Sequence, residues 1–181
     1  MATPPDFTAG QVLTAAQMNA VGLWLVKTQT IGSAVSTVAV TGAFSSDYDN
    51  YQITVSGGTA LSGQNLTLQL GSTTTGYHLY GYFGFYTGTA LTGFNTDNGA
   101  NFSPAGFTSA NSLHMNCYLS CPNLAKVTSA NFDNVRTATG AVAGRSDGFL
   151  NDTTQYTGFT IGITGGATMT GGTIRVYGYR N

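Results

Sequence analysis

The segment LHMNCYLSC at residues 113–121 carries the pattern on which the fold prediction rests. Apolar and polar residues alternate along it, and in an extended chain alternate side chains point to opposite faces. The apolar face holds Leu113, Met115, Cys117, Leu119 and Cys121, and the polar face holds His114, Asn116, Tyr118 and Ser120. The segment therefore predicts a β-strand with one face in a core and the other toward solvent.

Both cysteines of the chain fall on the apolar face of this segment, where we expect reduced core residues. Four strand residues span about 13 Å, which is too far for a disulfide, although a turn at Cys121-Pro122 would shorten that distance. A zinc site that combined His114 with both cysteines would need the histidine on the opposite face. The segment therefore predicts no metal site.

Comparable runs recur along the chain and are separated by turns rich in Gly, Asn and Asp. The clearest runs lie at residues 51–55, 66–70, 77–86, 159–163 and 173–179, with weaker candidates at 28–40, 126–132 and 137–143. Only 7% of the residues are charged and glutamate is absent, so helix-forming residues are scarce, whereas Thr, Gly and Tyr are abundant. We predict an all-β body, an antiparallel β-sandwich or jelly-roll-like fold of about nine strands.

The segment FTAGQVLTAAQMNAVGLWLVK at residues 7–27 is the one stretch that favours a helix. Thr14 is placed to cap it and Gln17 to reach back to the cap, while Leu13 and Met18 stand at the positions of a hydrophobic staple. The helix would be apolar on all sides, so it must be covered, either by the β-body or by another chain. It is shorter than the roughly 20 apolar residues that span a bilayer, and no basic stretch precedes it, so neither a membrane span nor a signal peptide is predicted.

These observations divide the chain into an N-terminal arm with its short helix, residues 1–27, and a β-sandwich domain, residues 28–181. A helix that is covered by another chain would anchor the protein on that partner, whereas a helix packed on the β-body would not. The docking residues would be Val12, Leu13, Met18, Val21, Trp24 and Leu25.

Two predicted strands carry tyrosines on the face opposite their apolar residues. Such faces are too apolar to be left in water, and Tyr and Arg are enriched at protein interfaces. We predict that they form the interface between subunits of a symmetric oligomer, with a sugar-stacking surface as the alternative. The interface residues would be Tyr80, Tyr82, Tyr86, Arg175, Tyr177 and Tyr179.

Two long connections, residues 88–110 and 144–156, interrupt the regular succession of predicted strands. Connections longer than about 12 to 15 residues are uncommon in compact domains unless they bind something or are disordered. They are candidates for a receptor-contact surface, where rings stack on sugars and polar groups bind hydroxyls, whereas a cementing protein would bury the same rings against its neighbours. The candidate contacts are Phe94, Phe102, Phe107, Arg145 and Tyr156.

Several classes of function are disfavoured. The net charge is −1 and the six Lys and Arg residues are scattered, which argues against binding to nucleic acid or insertion at an anionic membrane. The GRSDG run at 144–148 matches a nucleophile elbow around Ser146, but no helix pattern follows it and both histidines precede it. The DYDN run at 47–50 lacks the Gly and Glu of a calcium loop. We predict a non-enzymatic protein without catalytic residues, metal or cofactor.

Three segments resemble structural proteins of tailed bacteriophages: FTAGQVLTAAQMNAV at residues 7–21, SDYDNYQITVSG at 46–57 and GGTIRVYGYRN at 171–181. Small tail, fibre and baseplate proteins of this kind pair a similar N-terminal segment with a β-sandwich that closes on a similar last strand. The resemblance implies a virion protein, assembled in the bacterial cytoplasm, that forms a homotrimer and docks onto other phage virion proteins. Residues 11–27 would take the docking role, and some such proteins bind host surface glycans.

The sequence after the arm favours one type of virion protein over another. This sequence contains no collagen-like or coiled-coil stalk, which favours a short tail-associated appendage over a long fibre. Decoration of the capsid, in which the protein would cement the phage head, is the alternative.

Overall fold

The computed structural model describes Gly10, Val12, Thr14 and residues 22–61, 63–137 and 140–180. Within this part of the chain every strand pairing is antiparallel and no helix occurs, which confirms the all-β prediction. The described residues form fourteen strands: β1 (Leu23–Thr30), β2 (Thr37–Val40), β3 (Tyr48–Ser56), β4 (Thr59–Ala60), β5 (Asn65–Leu70), β6 (Tyr77–Phe85), β7 (Leu91–Gly99), β8 (Phe102–Thr108), β9 (Leu113–Ser120), β10 (Thr128–Arg136), β11 (Val142–Leu150), β12 (Phe159–Ile163), β13 (Met169–Thr170) and β14 (Thr173–Arg180).

Strand β1 occupies the last part of the predicted helix. It pairs with β14, from Leu23 opposite Tyr179 to Thr30 opposite Thr173, with a bulge at Val26. The helix prediction was wrong over residues 23–27 because a short apolar run suits a strand as well as a helix. The strand is favoured over the helix because the edge of β14 would otherwise have unpaired backbone groups, and β1 supplies partners for them.

The predicted boundary between residues 27 and 28 falls inside β1. Trp24 and Leu25, which were assigned to the arm, therefore belong to the sheet. Most of the segment from which the helix start was predicted, including Leu13, Met18 and Val21, lies outside the described residues.

Twelve of the described strands form one hydrogen-bonded network that folds into two sheets. The large sheet has the order β7-β6-β11-β10-β9-β3-β14-β1, and the small sheet has the order β2-β12-β5-β8. They join at β9: residues 115–120 pair with β3, whereas Leu113 and His114 pair with β8. The arrangement is sandwich-like, and the jelly-roll order stays a prediction.

The core lies between the two sheets, and rings from both sheets meet in it. Tyr77 of β6 and Phe102 of β8 have ring centroids 4.8 Å apart, and Phe102 lies 5.5 Å from Phe132 of β10. Near the opposite end Phe44, which follows β2, packs edge-on against Tyr51 of β3 at 4.8 Å. All five rings are buried. Contacts of this kind hold the two inner faces together.

The predicted alternation in β9 is confirmed from Leu113 to Leu119. Its inward residues, Met115 and Cys117 included, are at most 1% exposed. Cys121 lies just beyond the strand at φ 63°, where the chain turns, so it is only partly buried and was wrongly placed in the core. Both cysteines are free thiols, as predicted.

The two predicted long connections are wrong, because strands fill them. Residues 88–110 contain β7 and β8, and residues 144–156 begin within β11. The inward face of β11 begins with Val142 and ends with Leu150, but the three inward positions between them are Gly144, Ser146 and Gly148, so apolar alternation is lost in the middle of this strand. A Cβ on Gly144 would lie 2.3 Å from the carbonyl oxygen of Tyr82, so the close approach of β6 requires glycine there. The estimate of about nine strands was low for the same reason.

Tyr77 also ties the two sheets together by hydrogen bonds. The Leu70 N–H of β5 donates to the Tyr77 hydroxyl at 2.7 Å, and the hydroxyl in turn donates to the Thr73 carbonyl at 3.3 Å. The side chain is fully buried, and burial raises the pKa of Tyr77 above its ordinary value, so the hydroxyl remains a donor at neutral pH.

We expect Tyr77→Phe to lower the free energy of unfolding by about 1 to 3 kcal/mol, because it leaves the buried Leu70 N–H without its acceptor. Urea denaturation measures the loss. Tyr80→Phe is the matched control, since Tyr80 lies on the same strand and is 67% exposed; we expect it to change stability by less than about 0.5 kcal/mol. Equal effects of the two substitutions would contradict the tie between the sheets.

Candidate functional site

The large sheet has a face that turns away from the small sheet, and we call it the outer face. In an antiparallel pair, directly opposed residues project to the same side, so the strand register defines this surface. Its three rows are Tyr80-Asp147-Asn131-Tyr118-Gln52-Tyr177-Leu25, Tyr82-Arg145-Asp133-Asn116-Thr54-Arg175-Thr28 and His78-Phe149-Ser129-Ser120-Asn50-Tyr179-Leu23. The outer face thus crosses seven strands without interruption.

Five of the six predicted interface residues lie on the outer face, in two groups. Tyr80 and Tyr82 of β6 form one group, and Arg175, Tyr177 and Tyr179 of β14 form the other. Five strand spacings separate the groups, or roughly 24 Å. The sixth residue lies just beyond the end of β6, where it is 68% exposed: Tyr86.

A polar ladder occupies the outer face between these groups. The Gln52 amide donates to Asn116 at 2.8 Å, and the Asn116 amide donates to Asp133 at 3.0 Å. Arg145 continues the ladder, with Nε 3.2 Å from Asp147 and Nη1 3.8 Å from Asp133. Exposed ion pairs of this kind contribute little to stability, but a connected set limits the rotamers of its members.

Arg145 is the predicted receptor contact that the structure places fully at the surface. Its hydrogen bond and ion pair with Asp147 raise the pKa of the guanidinium above its ordinary value. The Asn131 amide also donates to Asp147, at 2.6 Å. Arg145 is therefore a fixed cation on the outer face, on the second of the seven strands that this face crosses.

One predicted docking residue, Leu25, lies directly beside the predicted interface residues of β14. Leu25 is opposite Tyr177 and is 54% exposed, and Leu23, which was not predicted, is opposite Tyr179. Trp24, the other predicted docking residue in β1, points the other way and is half buried, and its indole N–H has no hydrogen-bond partner among the described residues. Leu23 and Leu25 thus form one surface with Tyr177 and Tyr179.

At the other end of the outer face, His78 lies against Phe149. The two rings stack 4.7 Å apart at an angle of 17°, and His78 Nδ1 is 2.8 Å from a carboxylate oxygen of Asp97. A shallow groove runs over these residues beside Tyr80. Sequence reasoning missed this group, because Asp97 reaches the histidine only through the pairing of β7 with β6.

A second candidate site is a cleft of about 360 Å³ between the two sheets, which we call the inter-sheet cleft. It is lined by Gly63, Asn65, Phe83, Phe94, Asn95, Thr96, Ser103, Pro104, Phe107, Arg136 and Val142. Two of these residues, Phe94 and Phe107, were predicted to contact a receptor. The others were not predicted.

The rings of the cleft are positioned by strand pairing. Phe94 of β7 is opposite Gly81 of β6, and a Cβ on Gly81 would lie 2.4 Å from the tip of the Phe94 ring. The missing side chain therefore makes room for the ring. Phe83 stands between the other two rings, 6.1 Å from Phe94 and 6.3 Å from Phe107.

Arg136, at the end of β10, supplies the cation of the cleft. Its Nε and Nη2 donate to the Gly140 carbonyl at 2.9 and 2.6 Å. The guanidinium carbon lies 5.7 Å from the centre of the Phe107 ring, a cation–π arrangement. The guanidinium is thus held in one orientation at the side of the cleft.

A chain of buried hydrogen bonds fastens β8, which carries the cleft residues Ser103 and Pro104, to the large sheet. The Asn134 amide donates to the Ser146 hydroxyl at 3.2 Å, and that hydroxyl donates to the Pro104 carbonyl at 3.2 Å. Ser146 lies in the middle of strand β11 rather than at a strand-to-helix turn, which is where the nucleophile elbow would need it.

Three of the five predicted receptor contacts are corrected by burial. Phe102 is fully buried against Tyr77 and Phe132, and Tyr156 is 4% exposed. The Tyr156 hydroxyl donates to Asp152 at 2.7 Å, and this hydrogen bond is the main cause that lowers the pKa of the Asp152 carboxyl. Phe107 is also largely buried, at the wall of the inter-sheet cleft. Aromatic rings in a sequence do not reveal which of them the opposite sheet will cover.

Comparison with family models, with curated proteins and with solved structures finds no match to this chain. Among the described residues, no three His, Cys, Asp or Glu side chains are grouped as metal ligands would be. The same residues contain no helix long and apolar enough to cross a membrane.

We expect Ser146→Ala to lower the free energy of unfolding by about 2 kcal/mol or more, because the buried Asn134 amide and Pro104 carbonyl would both lose their partner. Thermal or urea unfolding measures the change. Ser129→Ala on neighbouring β10 is the control, since Ser129 is exposed, and it should have little effect. A Ser146→Ala protein as stable as this control would show that the hydrogen-bond chain does not hold β8.

Proposed function

We propose that this chain is a non-enzymatic structural protein of a tailed-bacteriophage virion, a short tail-associated appendage assembled in the bacterial cytoplasm. The three segments that resemble phage tail, fibre and baseplate proteins support the proposal. The observation that carries it is the edge of the outer face, where Leu23 and Leu25 stand beside Tyr179 and Tyr177. Exposed apolar side chains grouped in this way mark a surface for protein contacts.

The docking element in this proposal is the N-terminal arm together with the edge that β1 forms. Val12 in the arm is 85% exposed, and Leu25 in the sheet is 54% exposed. Because β1 is already paired with β14, an arm that enters another virion protein would leave the β-body projecting from the particle. The body itself would be a jelly-roll-like sandwich.

Self-association is the second part of the proposal. A homotrimer would cover tyrosines of the outer face, and the polar ladder would supply directional contacts between subunits. Contact with a host surface glycan would then fall to surfaces that a trimer leaves open. Phe94 is the candidate receptor contact there, because Arg145 belongs to the polar ladder that the trimer would use.

Capsid decoration is the alternative. It is favoured by the burial of Phe102 and Tyr156, which reduces the number of rings offered to a receptor. A protein that cements the head needs broad lateral contacts more than a distal binding site, and the outer face is broad. In either role the protein would bind neither nucleic acid nor a membrane.

Mass spectrometry of dissected phage particles tests the location. We expect the protein in purified tails and not in tail-less heads, because the proposal places its docking partner in the tail. Recovery with tail-less heads would exclude the tail appendage and support decoration, and absence from both fractions would contradict a virion role.

Deletion of residues 1–22 tests the docking arm without cutting into β1. We expect the shortened protein to keep its β-sheet circular dichroism and thermal transition, because β1 still covers the edge of β14, but to be absent from particles. A control deletion that also removes β1, residues 1–30, should lower solubility by exposing that edge. If the protein without residues 1–22 still enters particles, the arm is not the anchor.

The oligomeric state tests the outer face. We expect a trimer by multi-angle light scattering at micromolar concentration, and dissociation when Tyr177→Asp places a charge among the apolar residues of the edge. Thr154→Asp, at an exposed position outside the outer face, is the control and should leave the trimer intact. A stable monomer of the unaltered protein would contradict self-association.

A further inference from the structure

The inter-sheet cleft has the composition of a small-molecule site, and its residues favour one class of ligand. We propose that it binds a single saccharide unit that carries a carboxylate. Its volume of about 360 Å³ lies within the range of small-ligand sites. This inference deepens the host contact proposed above and rests on it for its biological meaning, but the binding itself is a property of the isolated chain.

Aromatic rings provide the stacking surface. Phe83 and Phe94 are only half buried, although Tyr77 and Leu79 on the same face of β6 are buried, and both rings border the cleft. The apolar C–H face of a sugar ring packs well on such surfaces. Because Gly81 fixes the place of Phe94, this wall exists before a ligand arrives.

Uncharged polar residues surround the rings. Asn65, Thr96 and Ser103 line the cleft, and together they offer both donors and acceptors. A ligand with several hydroxyl groups can satisfy such a set, whereas a purely apolar ligand would leave these groups without partners. The polar lining therefore selects a sugar over a lipid or a hydrocarbon.

The positive charge of the cleft favours a ligand that carries a carboxylate. Arg136 is the one charged side chain among the described residues that line the cleft, and no carboxylate lines it. Its Nε and Nη2 bind the Gly140 carbonyl, while Nη1 faces Gly63, whose added Cβ would lie 3.9 Å away. Nη1 is thus held at the side of the cleft, where a ligand carboxylate can accept a charge-assisted hydrogen bond from it.

The test is saturation-transfer NMR on the purified full chain with glucuronate, galacturonate and N-acetylneuraminate, and with glucose and galactose as neutral counterparts. We expect at least one acid to bind, and its neutral counterpart to bind roughly tenfold more weakly. Arg136→Gln and Phe94→Leu should each weaken binding of the acid by roughly tenfold or more.

Two variants away from the cleft serve as controls. Lys126→Gln removes an exposed cation and Phe149→Leu removes a ring, so both should bind as the unaltered chain does. Circular dichroism and thermal unfolding verify that each variant is folded, and Arg136→Lys, which keeps the charge, should bind more tightly than Arg136→Gln.

The inference is overturned if none of the acids binds, if acids and neutral sugars bind equally, or if the cleft variants bind as the controls do. Since the measurement uses isolated protein, such a result would not contradict the proposal that the chain is a virion protein. Conversely, absence of the protein from particles would remove the virion proposal and not the binding site.

Discussion

Strand β9 takes part in both sheets, and this double pairing sets the positions of the other elements. Residues 115–120 are hydrogen-bonded to β3 in the large sheet, while Leu113 and His114 pair with β8 of the small sheet. The two sheets therefore cannot slide past one another without breaking a ladder. Because side chains alternate along β9, the face that holds Cys117 is turned toward the small sheet and the face that holds Tyr118 is turned away.

Both candidate sites follow from this constraint. The small sheet covers one face of the large sheet, so the opposite face is left to tyrosines, leucines and the polar ladder around Arg145. The inter-sheet cleft lies between β6 and β7 on one side and β5 and β8 on the other, where Phe83 and Phe107 do not fill the space between the sheets. The hydrogen bonds of Tyr77 and Ser146 hold the sheets together on the inner side, so the cleft has fixed walls.

Local alternation in the sequence was enough to predict the all-β class, the inward face of β9 and the shared side of Tyr177 and Tyr179. Local alternation failed to predict a strand where pairing with a neighbouring strand determines the structure. The inward glycines of β11 carry no apolar signal because β6 lies too close for a side chain, and β1 is a strand because β14 has an edge to pair. Cleft rings and buried rings such as Phe102 look alike in sequence, since the opposite sheet determines their exposure.

If the outer face is the association surface and the inner face is the core, assembly should protect one set of tyrosines and leave the other unchanged. Hydroxyl-radical footprinting of tyrosines, read by mass spectrometry at dilutions below and above assembly, distinguishes the two sets. We expect Tyr177 and Tyr179 to lose reactivity on assembly, while the buried Tyr51 and Tyr77 stay unreactive at every dilution. Unchanged reactivity of Tyr177 and Tyr179 in the assembled protein would contradict that role of the outer face.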